Sequence, residues 1–310
     1  MRANGPTLRQ LRYLLALEAE GTFRRAAEAC GVSQPSLSEQ IGALEAELGL
    51  RLAERSRPKL TLTPAGREIA DRARRVLQQV DELTAFAAQA AGGFSGTLKL
   101  GATFTAGPYL LPRVVARLHS DYPDLRLYVR ESTPARLVDE LLRGEHDLIL
   151  TQLPVQAAGV EVRRVLREPL RLAVAADHRF AGREAVDVSE LTGEPVITLS
   201  PEYLLHHQIR RLCEDVGARL LADYQGTSLD AVRQMVGMGM GASLLPALYV
   251  ASEGRRREEV AILKLTGREV SRAIGLVWRQ GAAAGEHYER LAELMRDVVR
   301  AEFDEIQVQR

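Results

Sequence analysis

The N-terminal part of the chain repeats its apolar positions at helical rather than strand spacing. Over residues 7–20, Leu8, Leu11 and Leu15 share one face, Arg9, Arg12 and Glu18 lie off it, and Gly21 ends the helix. Thr22 can cap a second helix that buries Phe23, Ala26, Ala27 and Cys30. A third opens at Ser33 and Gln34 after the joint Gly31-Val32-Ser33. It takes Pro35 in its first turn, where a missing N–H costs nothing, and buries Leu37, Ile41, Leu44 and Leu48. Two short helices around a glycine turn suit a helix-turn-helix, with Gln34, Ser36 and Ser38 toward a major groove, where Gln can pair bidentately with adenine. The same pattern also suits a plain helical bundle in which Ser and Gln only cap.

Residues 51–63, RLAERSRPKLTLT, set Arg51, Arg55, Arg57 and Lys59 against a single acid, Glu54. A basic turn held by Pro58 between two strand-like pieces suits a wing that neutralises phosphates, or a solvated hairpin. From 64 to 91 no proline interrupts a long helical stretch. Ile69, Ala73, Val76, Val80, Leu83, Ala87 and Ala90 recur there at intervals of 4, 3, 4, 3, 4 and 3. That repeat predicts a helix–helix seam, with a lone amphipathic helix as the alternative. Gly92-Gly93 ends it, so the chain divides into 1–63, 64–92 and 93–310.

Beyond the glycines the period changes. Strands at 97–102, 125–131 and 147–151 alternate with helices at 108–120 and 134–143. The pattern repeats through strands at 170–175 and 195–199, helices at 205–216 and 228–236, and ASLLP, with a last helix at 285–301 returning to the first lobe. This predicts α/β architecture in two lobes with mainly parallel sheets. Ligands of open α/β folds lie beyond the carboxyl ends of strands. Those ends carry Thr103 and Thr105, Ser132 and Thr133, Thr151 and Gln152, Thr198 and Ser200, and Thr227 and Ser228. Hydroxyls beside free N–H groups favour carboxylates and other small anions, although each one alone also reads as an ordinary N-cap. The run Gly237-Met238-Gly239-Met240-Gly241 follows a helix and precedes a strand, the reverse of a dinucleotide fingerprint, and reads as a helix stop.

Composition narrows the classes. The 310 residues hold 41 basic and 41 acidic side chains, so the net charge is zero and a histone-like or acidic-tail protein is excluded, though a local basic patch is not. Neither a run of apolar residues long enough to span a bilayer nor a signal peptide is legible, which points to the cytoplasm and no membrane partner. Two cysteines, Cys30 and Cys213, are too few for a disulfide framework. Cys213 shares a helical face with Leu205, Ile209, Leu212 and Val216. A buried, inert thiol is expected there, unless Arg210 and Arg211 fold over it and lower its pKa. His206 and His207 lack partners at metal-ligand spacing and read as a solvated face. No G-x-S-x-G, Walker loop or HExxH occurs, so neither an enzyme nor a bound cofactor or metal is expected.

The stretch from Leu8 to Ala70, with AA-x-x-x-x-VSQPSLS-x-QI-x-x-LE-x-x-LG-x-x-L and then LT-x-AG, resembles the winged helix-turn-helix of LysR-type transcriptional regulators. The resemblance is continuous over 7–92, and the organisation of 93–305 continues it. It implies that Ser33, Gln34, Pro35, Ser36 and Ser38 lie near bases of double-stranded DNA, with Arg55, Arg57 and Lys59 in the wing. It implies a homodimer or homotetramer joined along Ile69, Val76, Val80 and Leu83, and RNA polymerase as a further partner. It also implies an effector domain resembling periplasmic solute-binding proteins, with a small effector beside Thr103, Thr105, Ser132, Thr133, Thr198, Ser200 and Thr227. The segments GPYLLPRVVARL and TSLDAVRQMVGMGMGASLLPALYV are most similar to the peroxide-sensing OxyR branch of that family. There a reactive cysteine precedes a second one by nine residues, and a threonine near the peroxide corresponds to Thr105. Cys213 matches the second cysteine, but Leu204 stands in place of the first and Tyr203 in place of the histidine before it. That leaves an effector-driven regulator as the expectation, and oxidant sensing through Cys213 alone as the alternative.

Overall fold

Hydroxyl side chains open the first three helices. In the computed structural model, which describes residues 5–54, 60–90, 96–253 and 259–309, the chain forms two compact units, Met1–Ala87 and Ala88–Arg310. Thr7 and Gln10 cap α1 (Leu8–Glu20) reciprocally, Thr22 caps α2 (Phe23–Ala29) and Ser33 caps α3 (Gln34–Leu48). Gly21 and Gly49 close α1 and α3 at φ of 65° and 66°, a left-handed turn that residues with a Cβ avoid. The core of this unit packs Tyr13, Leu14 and Leu17 of α1 against Ala26, Ala27, Leu37, Ile41 and Leu44. The buried face of α1 is therefore rotated from the expected one: Leu8 is exposed and Leu15 half-buried, while Tyr13, Leu14 and Leu17 are buried with Leu11. Strands β1 (Ala53–Glu54) and β2 (Thr61–Leu62) pair antiparallel with Ala53 opposite Leu62, and α4 (Pro64–Ala90) follows.

Gly66, in the second residue pair of α4, has no room for a side chain. A Cβ there would lie 2.0 Å from the Leu52 carbonyl oxygen, so only glycine lets the long helix start against the wing. Thr63 closes the joint, with its hydroxyl accepting from the Gly66 N–H at 2.9 Å and donating to the Arg51 carbonyl at 2.7 Å.

The second unit runs β3 (Gly96–Thr103), α5 (Gly107–Asp121), β4 (Leu125–Ser132), α6 (Pro134–Leu142), β5 (Leu148–Gln152) and β6 (Val160–Ala175). It continues through β7 (Ala185–Asp187), β8 (Pro195–Leu199), α7 (Leu204–Val216), β9 (Arg219–Gly226), α8 (Leu229–Gly237), β10 (Ser243–Pro246) and α9 (Ala247–Ser252). It ends with β11 (Val260–Thr266), β12 (Ser271–Arg279), α10 (Gly285–Glu302) and β13 (Gln307–Val308). Strands β4, β3 and β5 are parallel, and β5 then meets β12 antiparallel. β12 lies along the first part of β6, while β10 and β11 pair antiparallel with its second part. Parallel β8 and β9 join the second lobe through a bridge between Val196 and Ala242. α10 packs on α5 and β6, returning to the first lobe.

This corrects the expected mainly parallel sheets. The middle of the unit is an antiparallel ladder of β6 with β12, β10, β11 and β13. Only its last six residues stood out in the sequence, because three arginines, two glutamates and Pro169 interrupt the apolar pattern of the ten before them, VEVRRVLREP. The glycine run ends α8 and turns into β10 as the sequence predicts, with Gly239 at φ 76°.

Candidate DNA-reading face and effector cleft

The opening of α3 presents its polar residues outward. The Ser33 hydroxyl accepts from the Ser36 N–H at 3.4 Å, which fixes the first turn. Gln34 and Pro35 are exposed, Ser36 and Ser38 half-buried, and Leu37 between them is fully buried. Glu45, which sequence reasoning passed over, ties this helix to the wing: its carboxylate accepts the N–H groups of Leu52 at 2.7 Å and Ala53 at 3.2 Å. Its signal was an acid on the otherwise apolar side of the helix. Arg55, Arg57 and Lys59 lie outside the described residues.

Along α4, the seven-position repeat divides. Ala70 is buried in the core of its own unit and half-buried Ile69 packs on it, so the start of the expected seam faces inward, and Ala73 is buried as well. Arg74 pairs with Glu18 of α1 on the same side. Val80 is half-buried, whereas Val76 is 42% and Leu83 70% exposed.

At the strand ends of the first lobe, Thr103 is opposite Ser132, and Ala102 is opposite Leu150, so Thr151 lies level with Thr103 on the next strand. Residues level on neighbouring parallel strands share a face. Gly101, two residues before Thr103 and on that face, approaches α6 so closely that a Cβ would lie 2.7 Å from the Leu137 side chain. The hydroxyl row therefore lies on the α6 side, at the opening of a helix whose cap residue, Thr133, makes no side-chain cap bond. The hydroxyls of Thr103 and Thr151 are buried without a hydrogen-bond partner, as is that of Thr198 in the second lobe. The remaining expected positions are more ordinary. Ser200 donates to Glu202 at 3.0 Å, Thr227 is exposed, and the cap of α8 is Ser228, which accepts from Ala231 N–H at 3.2 Å.

Thr105 belongs to a different arrangement. Its hydroxyl accepts from Arg272 at 3.0 Å and its carbonyl from the same guanidinium at 2.7 Å. The Arg272 Nε donates to Glu168 at 2.8 Å, and the other Glu168 oxygen accepts the Leu248 N–H at 2.6 Å. Arg272 and Glu168 are wholly buried. Burial pushes the Glu168 carboxyl up, opposed by Arg272 and the Leu248 N–H. Neither ion was found from sequence, since they lie 104 residues apart. Across the cleft, Gln208 of α7 donates to the Ser271 carbonyl at 2.7 Å and accepts from Gln152 at 3.2 Å, fastening the second lobe to β5 and β12.

Leu204 opens α7 directly after the buried Tyr203. Cys213 is 3% exposed, and burial pushes its thiol up to about 11. Arg210 and Arg211 are exposed and do not lower it. Cys30 is half-buried and its thiol is also raised by burial. The expected solvated histidine pair is half corrected: His207 is exposed, but His206 is buried, its Nδ1 2.8 Å from the Leu199 carbonyl. His206 falls on the Ile209–Cys213 face at helical spacing, which turns it inward. Among the described residues, no group of His, Cys, Asp and Glu could hold a metal, and no helix is long and apolar enough to cross a membrane.

A capped reader helix beside a wing, followed by a two-lobed α/β unit with hydroxyls at its strand ends, defines a class. Residues 8–67 match the bacterial regulatory helix-turn-helix proteins of the lysR family, residues 91–300 match the LysR substrate binding domain, and the chain belongs to that family. It is a LysR-type DNA-binding transcriptional regulator. It is 40% identical to the DNA-binding transcriptional dual regulator OxyR of Escherichia coli K12 over 300 residues, covering 96% of this chain and 98% of that protein. A full-length OxyR of Pseudomonas aeruginosa with a cysteine-to-aspartate change superposes at a TM-score of 0.75 and 32% identity, covering 94% of this chain and 98% of that one. A cysteine-to-serine mutant of Corynebacterium glutamicum OxyR, described as H2O2-bound, gives 0.67 and 31%, covering 97% and 95%.

Proposed function

We propose that this regulator reads DNA with the opening of α3 and is switched by a small oxyanion at the hydroxyl row of the first lobe, not by a cysteine pair. Gln34 reads bases, with Ser33, Pro35, Ser36 and Ser38 around it, and Arg55, Arg57 and Lys59 neutralise phosphates. Val76, Val80 and Leu83 join two copies so that two readers meet two half-sites. The effector is held by Thr103, Ser132, Thr133 and Thr151, with Thr198, Ser200 and Thr227 closing from the other lobe and Thr105, held by Arg272, bracing the strand end. A ligand there changes how the Gln208 fastening holds the lobes, through different affinities for the two arrangements. The protein acts in the cytoplasm, carries out no reaction of its own and presents RNA polymerase with DNA-bound copies. The carrying observation is the pair of buried, unpartnered hydroxyls on Thr103 and Thr151. An unpaired buried polar group is costly, and a ligand relieves that cost.

A second reading keeps the same pocket and makes its ligand a peroxide. It is favoured by the similarity to a peroxide-bound OxyR with a substituted cysteine. A footprint of the reduced full-length protein on DNA upstream of its own gene separates the readings, with sulfate, acetate and H2O2 added in turn. The first reading expects a shift with an oxyanion that Thr103→Val abolishes, and indifference to H2O2. A peroxide shift that survives in Cys213→Ser but not in Thr103→Val selects the second. A peroxide shift lost only in Cys213→Ser would overturn both in favour of the thiol.

A further inference from the structure

The long strand β6 has a recess on the face away from the Arg272–Glu168 pair. Its volume is about 320 Å³, and Leu153, Pro154, Val155, Val162 and Ala273 give it apolar walls. Pockets for small molecules start at about 300 Å³ and combine apolar walls with a few convergent polar groups. Here those groups are two guanidiniums, Arg164 and Arg167.

The rim is built rather than incidental. Arg296, itself buried, donates to the Arg164 carbonyl at 2.6 and 3.0 Å and to the Gln309 carbonyl at 2.9 Å, which fixes the backbone on two sides of the recess. Arg167 is oriented by the Ser271 hydroxyl at 2.8 Å, with Glu269 at 3.3 Å as its acid. Arg164 is exposed. Gly275 keeps the wall close, since a Cβ there would lie 2.9 Å from the Leu153 side chain. Two cations against one acid over an apolar floor match a carboxylate with a hydrocarbon body.

We infer that this recess is a binding site for an amphipathic monocarboxylate, separate from the strand-end pocket. On β12, Ala273 borders the recess while the adjacent Arg272 points the other way, to Thr105.

The test is calorimetric titration of the full-length protein with octanoate, with inorganic phosphate as the charge-only control. Expected are octanoate binding, at least tenfold weaker binding in Arg164→Ala/Arg167→Ala, an unchanged affinity in Thr103→Val, and no comparable phosphate binding. Because both arginines are partly or fully exposed, the double variant should fold, and an unchanged thermal midpoint checks this. Val162→Asp places an acid in the wall and should abolish binding as a second variant. Undiminished binding in the double variant, equal affinity for phosphate, or loss of octanoate binding in Thr103→Val would each overturn the site. The last result would leave the strand-end pocket of the proposed function standing, since octanoate would then be entering it.

Discussion

Thr103 and Thr105 are two residues apart, both buried, and treated oppositely. The hydroxyl of Thr105 is held by Arg272, whose charge Glu168 answers. The hydroxyl of Thr103 meets no partner. One threonine is part of a satisfied network that fixes the strand ends against β12 and α9. The other carries a deficit that a protein under selection for stability alone would fill with valine. Buried polarity in this unit is thus satisfied at Thr105, where it serves architecture, and unsatisfied at Thr103, where the proposed effector would supply the missing partner.

The largest effect should come from Arg272→Ala, which leaves Glu168 buried and unpaired and should cost about 3–5 kcal/mol in urea unfolding. Arg272→Met combined with Glu168→Leu should recover most of that loss. If it does not, the pair contributes more than its own neutralisation. Thr105→Val removes a hydrogen bond to a charged group and should cost about 1.5–3 kcal/mol. Thr103→Val should reverse the sign, stabilising the protein by about 1 kcal/mol as an unsatisfied hydroxyl disappears. A loss matching that of Thr105→Val would erase the contrast. A last test, on Cys213, reads reactivity rather than stability. At pH 8.5 an ordinary thiol is half ionised, whereas one raised to about 11 is only about 0.3% thiolate. Because the pKa is raised, reactivity is suppressed below pH 11 and returns only as the pH passes it. Alkylation by iodoacetamide at pH 8.5 should therefore be well over tenfold slower than for the unfolded chain.

The sequence revealed these regions unequally. The reader was legible because its signals are local: Thr22 and Ser33 as caps, Gly21 as a stop, Pro35 in a first turn. The strand-end threonines were legible from topology, since each follows an apolar strand. Arg272 and Glu168 were not, because a charge inside a strand reads as an exposed position until its partner is known. β12 stayed hidden for a related reason, as its antiparallel place beside β6 depends on pairing across 104 residues. The seam on α4 was over-read at its start. Periodicity cannot say whether Ile69 faces another chain or its own core, and here the core receives it.

The sixteen residues of β6 have a mechanical consequence. At about 3.3 Å per residue the strand is roughly 50 Å long, and both lobes hang from it. A member continuous through two bodies resists bending in its plane and yields to torsion, so the lobes should wind about this axis. Pro169, opposite Ser271, is a notch in that bar, having no N–H to give to the ladder. Compliance should be greatest there, midway between the Glu168 carboxylate and the strands of the second lobe.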